Sequence, residues 1–284
     1  MLSFDGQAVR HRITQVFSGA MTMATVSPSF QENFEIGRVI SLTFGVIGRN
    51  APLFFGLAFV VNGIPQMGLQ YFQLQTASFA QSGVAPEIGF VTTYLSFLGL
   101  YLLFAVIFGS LLNAMLCRAA IEDLSDGHPQ VGECFATALS VLLPLIGIGL
   151  VSGIAIAIGL LLLVVPGIYL ALGWVVAVPV LVQEREGVFG SLSRSRTLTR
   201  GNRWRLFAMF LVVFVVLWVL QIPLGMLALL GASAGSSFVG PAIATAISAT
   251  LSSVFTTTIA AVSYIELRRI REGTSIDELA QIFA

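Results

Sequence analysis

Long apolar stretches alternate with short polar segments along this chain. After a polar opening over residues 1–33, Ile36, Val39, Ile40, Phe44 and Ile47 recur at helical spacing, while Arg38, Ser41 and Arg49 fall off that stripe. The pattern predicts an amphipathic helix lying in a headgroup plane. Uncharged segments follow at about 51–72 and 92–116, the first interrupted by Asn62, Gly63, Pro65 and Gln66. Beyond the polar connector 118–135, residues 136–183 run 48 positions without a charge. A straight helix of that length would reach roughly 70 Å, more than twice the hydrocarbon thickness. It must double back, and Pro166-Gly167 is the natural hairpin, giving helices at about 137–164 and 168–183.

A second polar zone runs from Glu184 to Arg205. Within it Val188, Phe189, Leu192 and Leu198 suggest another short interfacial helix, which Gly201 is placed to end. Spans at about 206–230 and 241–265 complete the set, joined by the uncharged, Gly- and Ser-rich stretch Gly231 to Gly240. The expected fold is therefore all-α: a polytopic membrane bundle of about six transmembrane helices with two interfacial amphipathic helices. Residues 1–33 form an N-terminal tail, 34–267 the membrane domain and 268–284 a C-terminal tail. In that last tail Ser275 and Glu278 make a capping box, and the helix it starts would carry Ile276, Leu279 and Phe283 on one side.

Composition strengthens this reading. Of 284 residues, 56% are hydrophobic and 10% charged, against roughly 25% charged in a soluble domain. A surface this apolar belongs in a bilayer. All 14 basic residues are arginine. With the N-terminus inside, every one of them falls on the cytoplasmic face, as the bias of basic residues toward cytoplasmic loops requires. An odd number of crossings would break that separation, so both termini are expected in the cytoplasm, without a cleavable signal at the N-terminus. Cys117 and Cys134 are too few for a disulfide framework and read as small buried hydrophobes.

Two rows of small residues, Gly149/Gly153/Ala157 and Ala244/Ser248/Ser252/Thr256/Ala260, offer close helix contacts within the chain or at a dimer seam. A faint repeat pairs Arg49-Asn50, Asn62 and Pro65 with Gly201-Asn202, Gln221 and Pro223.

Candidate chemistry is sparse. The proposed spans contain no Asp, Glu, His, Lys or Arg, which weighs against an ion-coupled pump and an intramembrane hydrolase. Neutral amides at Asn62, Gln66, Asn113 and Gln221 could line a solute pathway or bond neighbouring helices. The connector residues Glu122, Asp123, Asp126, His128, Glu133 and Cys134 match no metal-loop spacing, so neither metal nor cofactor is expected. Arg185, Arg194, Arg196, Arg200, Arg203 and Arg205 are the candidates for anionic lipid headgroups. The acids of the tails and connectors leave no net basic surface for nucleic acid.

The stretch Pro166-Gly167-Ile168-Tyr169-Leu170-Ala171-Leu172, with Trp174, Ala177, Pro179, Gly187 to Leu192, Arg194-Ser195, Leu198-Thr199 and Gly201-Asn202, resembles the bacterial glycerophosphoryl diester phosphodiesterase membrane domains and the related YciC-like inner-membrane proteins. The opening Ile36 to Asn50 and the close Tyr264 to Phe283 resemble them too. The likeness covers most of residues 34–284. It implies an all-helical cytoplasmic-membrane domain with no catalytic residue to carry over.

The function expected from these readings is non-enzymatic engagement of anionic lipid, or of a membrane partner or second copy, through the cytoplasmic arginine surface. The alternative is a transporter or flippase for a neutral or lipid-like solute. An enzyme acting on lipid would need acids and His128 gathered around a headgroup pocket.

Overall fold

The computed structural model describes residues 34–82, 88–125, 127, 129–233 and 238–283, with the backbone alone at 72, 75–76, 78–82, 232–233 and 273–283. The tail 1–33, Asp126 and His128 lie outside the described residues. The helices are α1 (Ile36–Arg49), α2 (Ala51–Ala58), α3 (Ile64–Ser82), α4 (Ile88–Leu124), α5 (Val131–Ser140), α6 (Leu142–Leu162), α7 (Val164–Trp174), α8 (Ala177–Glu184), α9 (Gly187–Thr199), α10 (Arg203–Ser233) and α11 (Val239–Phe283), with one π turn, Phe59–Gly63, between α2 and α3. Among the described residues six segments are long and apolar enough to cross a membrane: Ala51–Tyr71, Ile88–Leu124, Leu142–Leu162, Val164–Glu184, Arg203–Gly231 and Val239–Glu272.

Helix α11 is the axis. It packs against α10, α4, α1, α2, α3, α8, α9 and the π turn, and its buried face is built from small residues such as Ala242, Ala246, Thr250 and Ala261. Helix α10 runs antiparallel to it, so Arg200 meets Arg271, Met209 meets Ser263, Gln221 meets Ser248 and Gly231 meets Gly240. The two glycines touch backbone to backbone: a Cβ on Gly240 would fall 2.7 Å from Gly231 Cα. Small residues matter here because lipid tails supply no hydrophobic drive between helices, leaving close van der Waals contact to hold them. Outward-facing residues such as Phe214, Trp218 and Leu229 are exposed, as a lipid-facing surface requires.

The helix expected from Ile36 to Ile47 forms as α1, but it buries Val39, Thr43, Val46 and Ile47 against the bundle, while Phe44 of the expected stripe is 56% exposed. At its end Asn50 turns the chain into α2, accepting from the Phe54 N–H. The proline-marked interruption of the first span is the π turn. Pro65 has no N–H to continue the helical ladder there, and Gly63 lets the widened turn sit against Thr250 and the Ala246 carbonyl. Pro223, its counterpart in the faint repeat, lies inside an unbroken α10.

Four expectations need correction. First, α4 continues through Arg118, Glu122 and Asp123, which therefore lie on a helix rather than in a connector. Second, the helix expected at 137–164 is two helices. Val141 leaves helical geometry and divides α5 from α6. Third, the hairpin turns at Leu163, whose backbone is extended (φ −157°, ψ 135°). Pro166 then occupies the first turn of α7, where its missing N–H costs nothing, and Gly167 permits the close crossing with Gly159. Fourth, α11 runs through Ser275 without a break, so the capping box starts no separate helix. The side chains beyond it lie outside the described residues.

The small-residue rows also behave unequally. A Cβ on Gly149 or Gly153 would meet nothing within 4 Å, so that row faces outward, and the contact between α6 and α7 is made by Gly159 and Gly167 instead. On α11, Ser248 bonds across to α10, while Thr256 returns its hydroxyl to its own helix at Ser252.

Gly240→Ala is expected to lower stability in detergent by about 1–3 kcal/mol through overpacking. Gly225→Ala, where a Cβ meets nothing within 4 Å, should leave it unchanged or raise it. Thermal unfolding of the purified variants checks both.

Candidate functional site

The described arginines gather at one end of the bundle, where they divide into paired and unpaired groups. On one side Arg49 Nε bonds Asp123 at 3.2 Å, and Asn50 Nδ2 joins the same carboxylate at 2.7 Å. Arg38 faces Glu266 at 3.7 Å and Arg118 faces Glu122 at 3.8 Å. On the other side Arg194 bonds Glu184 at 2.9 Å and also Glu272, which Arg268 reaches at 2.6 Å. The Tyr264 hydroxyl donates to Glu184 at 2.9 Å. These bonds tie α1 to α4, α1 to α11, and α9 to both α8 and α11. Burial alone would loosen the proton on Arg194, but hydrogen bonds and charge from Glu184, then Glu272, more than offset that and hold it above the usual arginine range.

Helix α9 docks by the side that carries Leu192 and Leu198, with Val188 partly buried against the core, as its apolar residues suggested, but Phe189 points away. Ser191, Leu192, Ser195, Leu198 and Thr199 are buried, while Phe189 is 76% exposed. The Ser195 hydroxyl donates to the Gly173 carbonyl at 2.8 Å, fixing α9 along α7. Gly201, at φ +93°, provides the left-handed turn into α10. At the other end of α9 the turn from α8 uses Arg185 at φ 56° and Gly187 at φ 75°.

This docking leaves a cavity of about 620 Å³ between α6, α7, α9, α10 and α11, lined by Val151, Tyr169, Trp174, Phe189, Leu192, Ser193, Thr197, Arg196, Arg200, Arg203 and Arg271. Four guanidinium groups line it, with no carboxylate among the described residues. Arg203 lies over the Tyr169 ring, 4.0 Å from its centroid. Its Nε and Nη1 are buried with no hydrogen-bond partner among the described residues, and so is the Trp174 indole N–H. Arg271 donates to the Arg200 carbonyl, which anchors the guanidinium at the rim. Buried donors without acceptors are costly unless a ligand supplies the acceptor. Planar guanidinium forks match the oxygens of a phosphate or carboxylate.

Of the six arginines singled out from sequence, Arg196, Arg200 and Arg203 share this cavity. Arg194 is committed to Glu184 and Glu272, Arg205 points to the Phe34 carbonyl at 3.5 Å, and Arg185 caps α8. The sequence reading missed Arg271, Trp174 and Tyr169 as lining residues. Trp174 and Tyr169 were visible in the resemblance motif and Arg271 in the basic run after Glu266, but nothing local marked them as neighbours.

The intramembrane amides lie elsewhere. Gln66 accepts from the Tyr101 hydroxyl at 2.9 Å, and Gln221 donates to Ser248 at 2.6 Å. Both line a groove of about 320 Å³ with Thr245 and Pro241. Asn62 lies in the π turn and Asn113 on α4; neither reaches that groove. Cys117 and Cys134 are buried free thiols. Burial first, then Glu122, pushes the Cys134 thiol up to about 11, so it stays protonated and unreactive at neutral pH.

Helices of this length and apolarity, with cations segregated to one end, define a multi-pass helical membrane protein. Over 100 residues the chain is 30% identical to a UPF0259 membrane protein of Pectobacterium carotovorum, an alignment covering 35% of this chain and 40% of that relative. The chain thus spans less than half the length of the relative it matches. That likeness is to a bacterial membrane protein and says nothing of its activity. No known family profile matches the chain, and no solved structure matches it.

Glu184→Gln removes the charge that both Arg194 and Tyr264 lean on, and is expected to cost roughly 1–3 kcal/mol. Arg196→Gln, which breaks no ion pair, should leave stability unchanged. Parallel denaturation curves of the two variants distinguish structural from free arginines.

Proposed function

We propose that this is a non-enzymatic bacterial membrane protein that holds the phosphate of an anionic lipid headgroup in the cavity formed by Arg196, Arg200, Arg203 and Arg271. The observation that carries this reading is the cavity itself: four guanidinium groups and, among the described residues, two sets of buried N–H donors without acceptors and no acid in the lining. Tyr169, Phe189, Leu192 and Val151 give the same cavity an apolar wall, which suits a ligand with both a charge and a hydrocarbon part. In this proposal the protein sits in the inner membrane with this end and both termini on the cytoplasmic side, which the usual bias of basic residues toward cytoplasmic loops supports. On this reading the chain is a relative of the glycerophosphoryl diester phosphodiesterase membrane domains and YciC-like proteins, acting as a lipid- or partner-binding module.

Each arginine at such a surface contributes about 1 kcal/mol toward anionic lipid, so three together amount to roughly a hundredfold in affinity. Native mass spectrometry in mixed phosphatidylglycerol and phosphatidylcholine micelles should show phosphatidylglycerol retained by the wild type and lost from the variant with Arg196, Arg200 and Arg203 changed to Gln. Equal retention would refute headgroup binding at this cavity.

The groove between Gln66 and Gln221 favours a second reading, passage of a neutral solute past the two amides. That reading predicts faster swelling of proteoliposomes than of empty liposomes in isosmotic glycerol, and loss of the difference in Gln221→Leu. No swelling above background would remove it.

A further inference from the structure

Length and apolarity qualify α6 and the pair α7–α8 as membrane spans, but their contacts limit how far they can travel. Tyr169 lies against Arg203, and the Gly173 carbonyl is held by Ser195 of the arginine-bearing helix α9. From Tyr169 back to the turn at Leu163 is six residues, about 9 Å of helix. The other arm agrees. Val151 of α6 lines the same arginine cavity, and from there to Leu162 is eleven residues, about 17 Å. A hydrocarbon core is about 30 Å thick. By contrast the 31 residues of α10 start in the arginine layer and extend roughly 45 Å beyond it. The hairpin tip therefore cannot reach the end of the bundle where Gly231 meets Gly240, whichever way it points from the arginine layer.

The tip has the chemistry of a segment that never meets water. Leu160, Leu161, Leu162, Leu163, Val164 and Val165 are consecutive aliphatics, each between 44% and 87% exposed. A turn emerging on the far side would set six such side chains in an aqueous or headgroup layer. Part of the turn's backbone is paired internally: the Leu163 N–H donates to the Gly159 carbonyl at 3.0 Å and the Gly167 N–H to the Leu163 carbonyl at 3.4 Å, which lowers the cost of a hydrocarbon environment. The two arms pack chiefly on one another and approach most closely at Gly159 and Gly167.

We propose that α6 and α7 form a re-entrant hairpin that dips into the arginine-side leaflet and returns, so that four segments cross the bilayer: Ala51–Tyr71, Ile88–Leu124, Arg203–Gly231 and Val239–Glu272. The occupant of the hairpin's apolar surface is the acyl layer of that one leaflet, held beneath phosphate headgroups by Arg196, Arg200 and Arg203 at the hairpin's root. Four crossings, like six, leave the two ends of the described chain on the same face.

The test uses full-length protein in which Cys117 and Cys134 are changed to Ala, carrying a single cysteine at Leu163, Glu186 or Val239 and labelled with bimane. Samples are sealed proteoliposomes sorted for one orientation, with aqueous iodide added to one side or the other. Glu186→Cys and Val239→Cys, at opposite ends of the bundle, must be quenched from opposite sides; a variant that fails this control is replaced at the neighbouring exposed position, Arg185 or Ile243. Leu163→Cys quenched from the Glu186 side, or shielded from iodide on both sides, supports the re-entrant hairpin. Quenching of Leu163→Cys from the Val239 side shows that the hairpin crosses and overturns it. The readout depends on depth alone, so it stands whether or not the cavity binds lipid.

Discussion

A guanidinium group in hydrocarbon is expensive, and the protein is organised around that cost. Free arginine at the centre of a bilayer is disfavoured by several kcal/mol or more, depending on how far the bilayer deforms around it. The chain responds by confining its described arginines to one end of the bundle and by giving several of them carboxylates. Glu184 and Glu272 clamp Arg194, Asp123 holds Arg49, and Glu266 faces Arg38. These pairs join helices far apart in sequence, so the charge layer also fixes how α1, α4, α8, α9 and α11 meet. Exposed pairs are worth little singly. The value here comes from shared carboxylates, each serving two donors.

Against that background the cavity beside α9 is an exception. Among the described residues Arg196, Arg200, Arg203 and Arg271 share it without a carboxylate, and buried N–H groups of two lining residues, Arg203 and Trp174, have no acceptor. Described acids serve Arg38, Arg49, Arg118, Arg194 and Arg268 but none of these four, which leaves room for an anion from outside. The phosphate layer of a membrane lies at the depth where this end of the bundle must sit.

The apolar segments and the polar zones between them were legible because hydrophobic length and charge are local properties. So was the helix of α1, although Thr43 and Val46 rather than Phe44 complete its buried face. What the chain could not reveal locally is which arginines are spoken for. Arg194 and Arg196 are two residues apart, yet one meets two carboxylates and the other none among the described residues, because helical positions two apart point to different neighbours. Arg271 enters the cavity from a helix 71 residues away from Arg200. The hairpin was placed at Pro166-Gly167 by turn propensity, but proline serves in the first turn of α7 and glycine at a helix contact. The extended residue is Leu163, which carries no turn signal. Small-residue rows were similarly ambiguous: spacing finds a stripe, and only packing says which way it faces, as Gly149 and Gly153 demonstrate.

The central claim is that the arginine zone and the C-terminal end of α11 lie on one side of the membrane. Topology reporters fused after Glu186 and after Ala284, one active only in the cytoplasm and one only outside it, test this most directly. Both positions should report the cytoplasm. Signals from opposite sides would contradict the account, since no arrangement of the charge layer joining Arg194 to Glu272 survives that outcome.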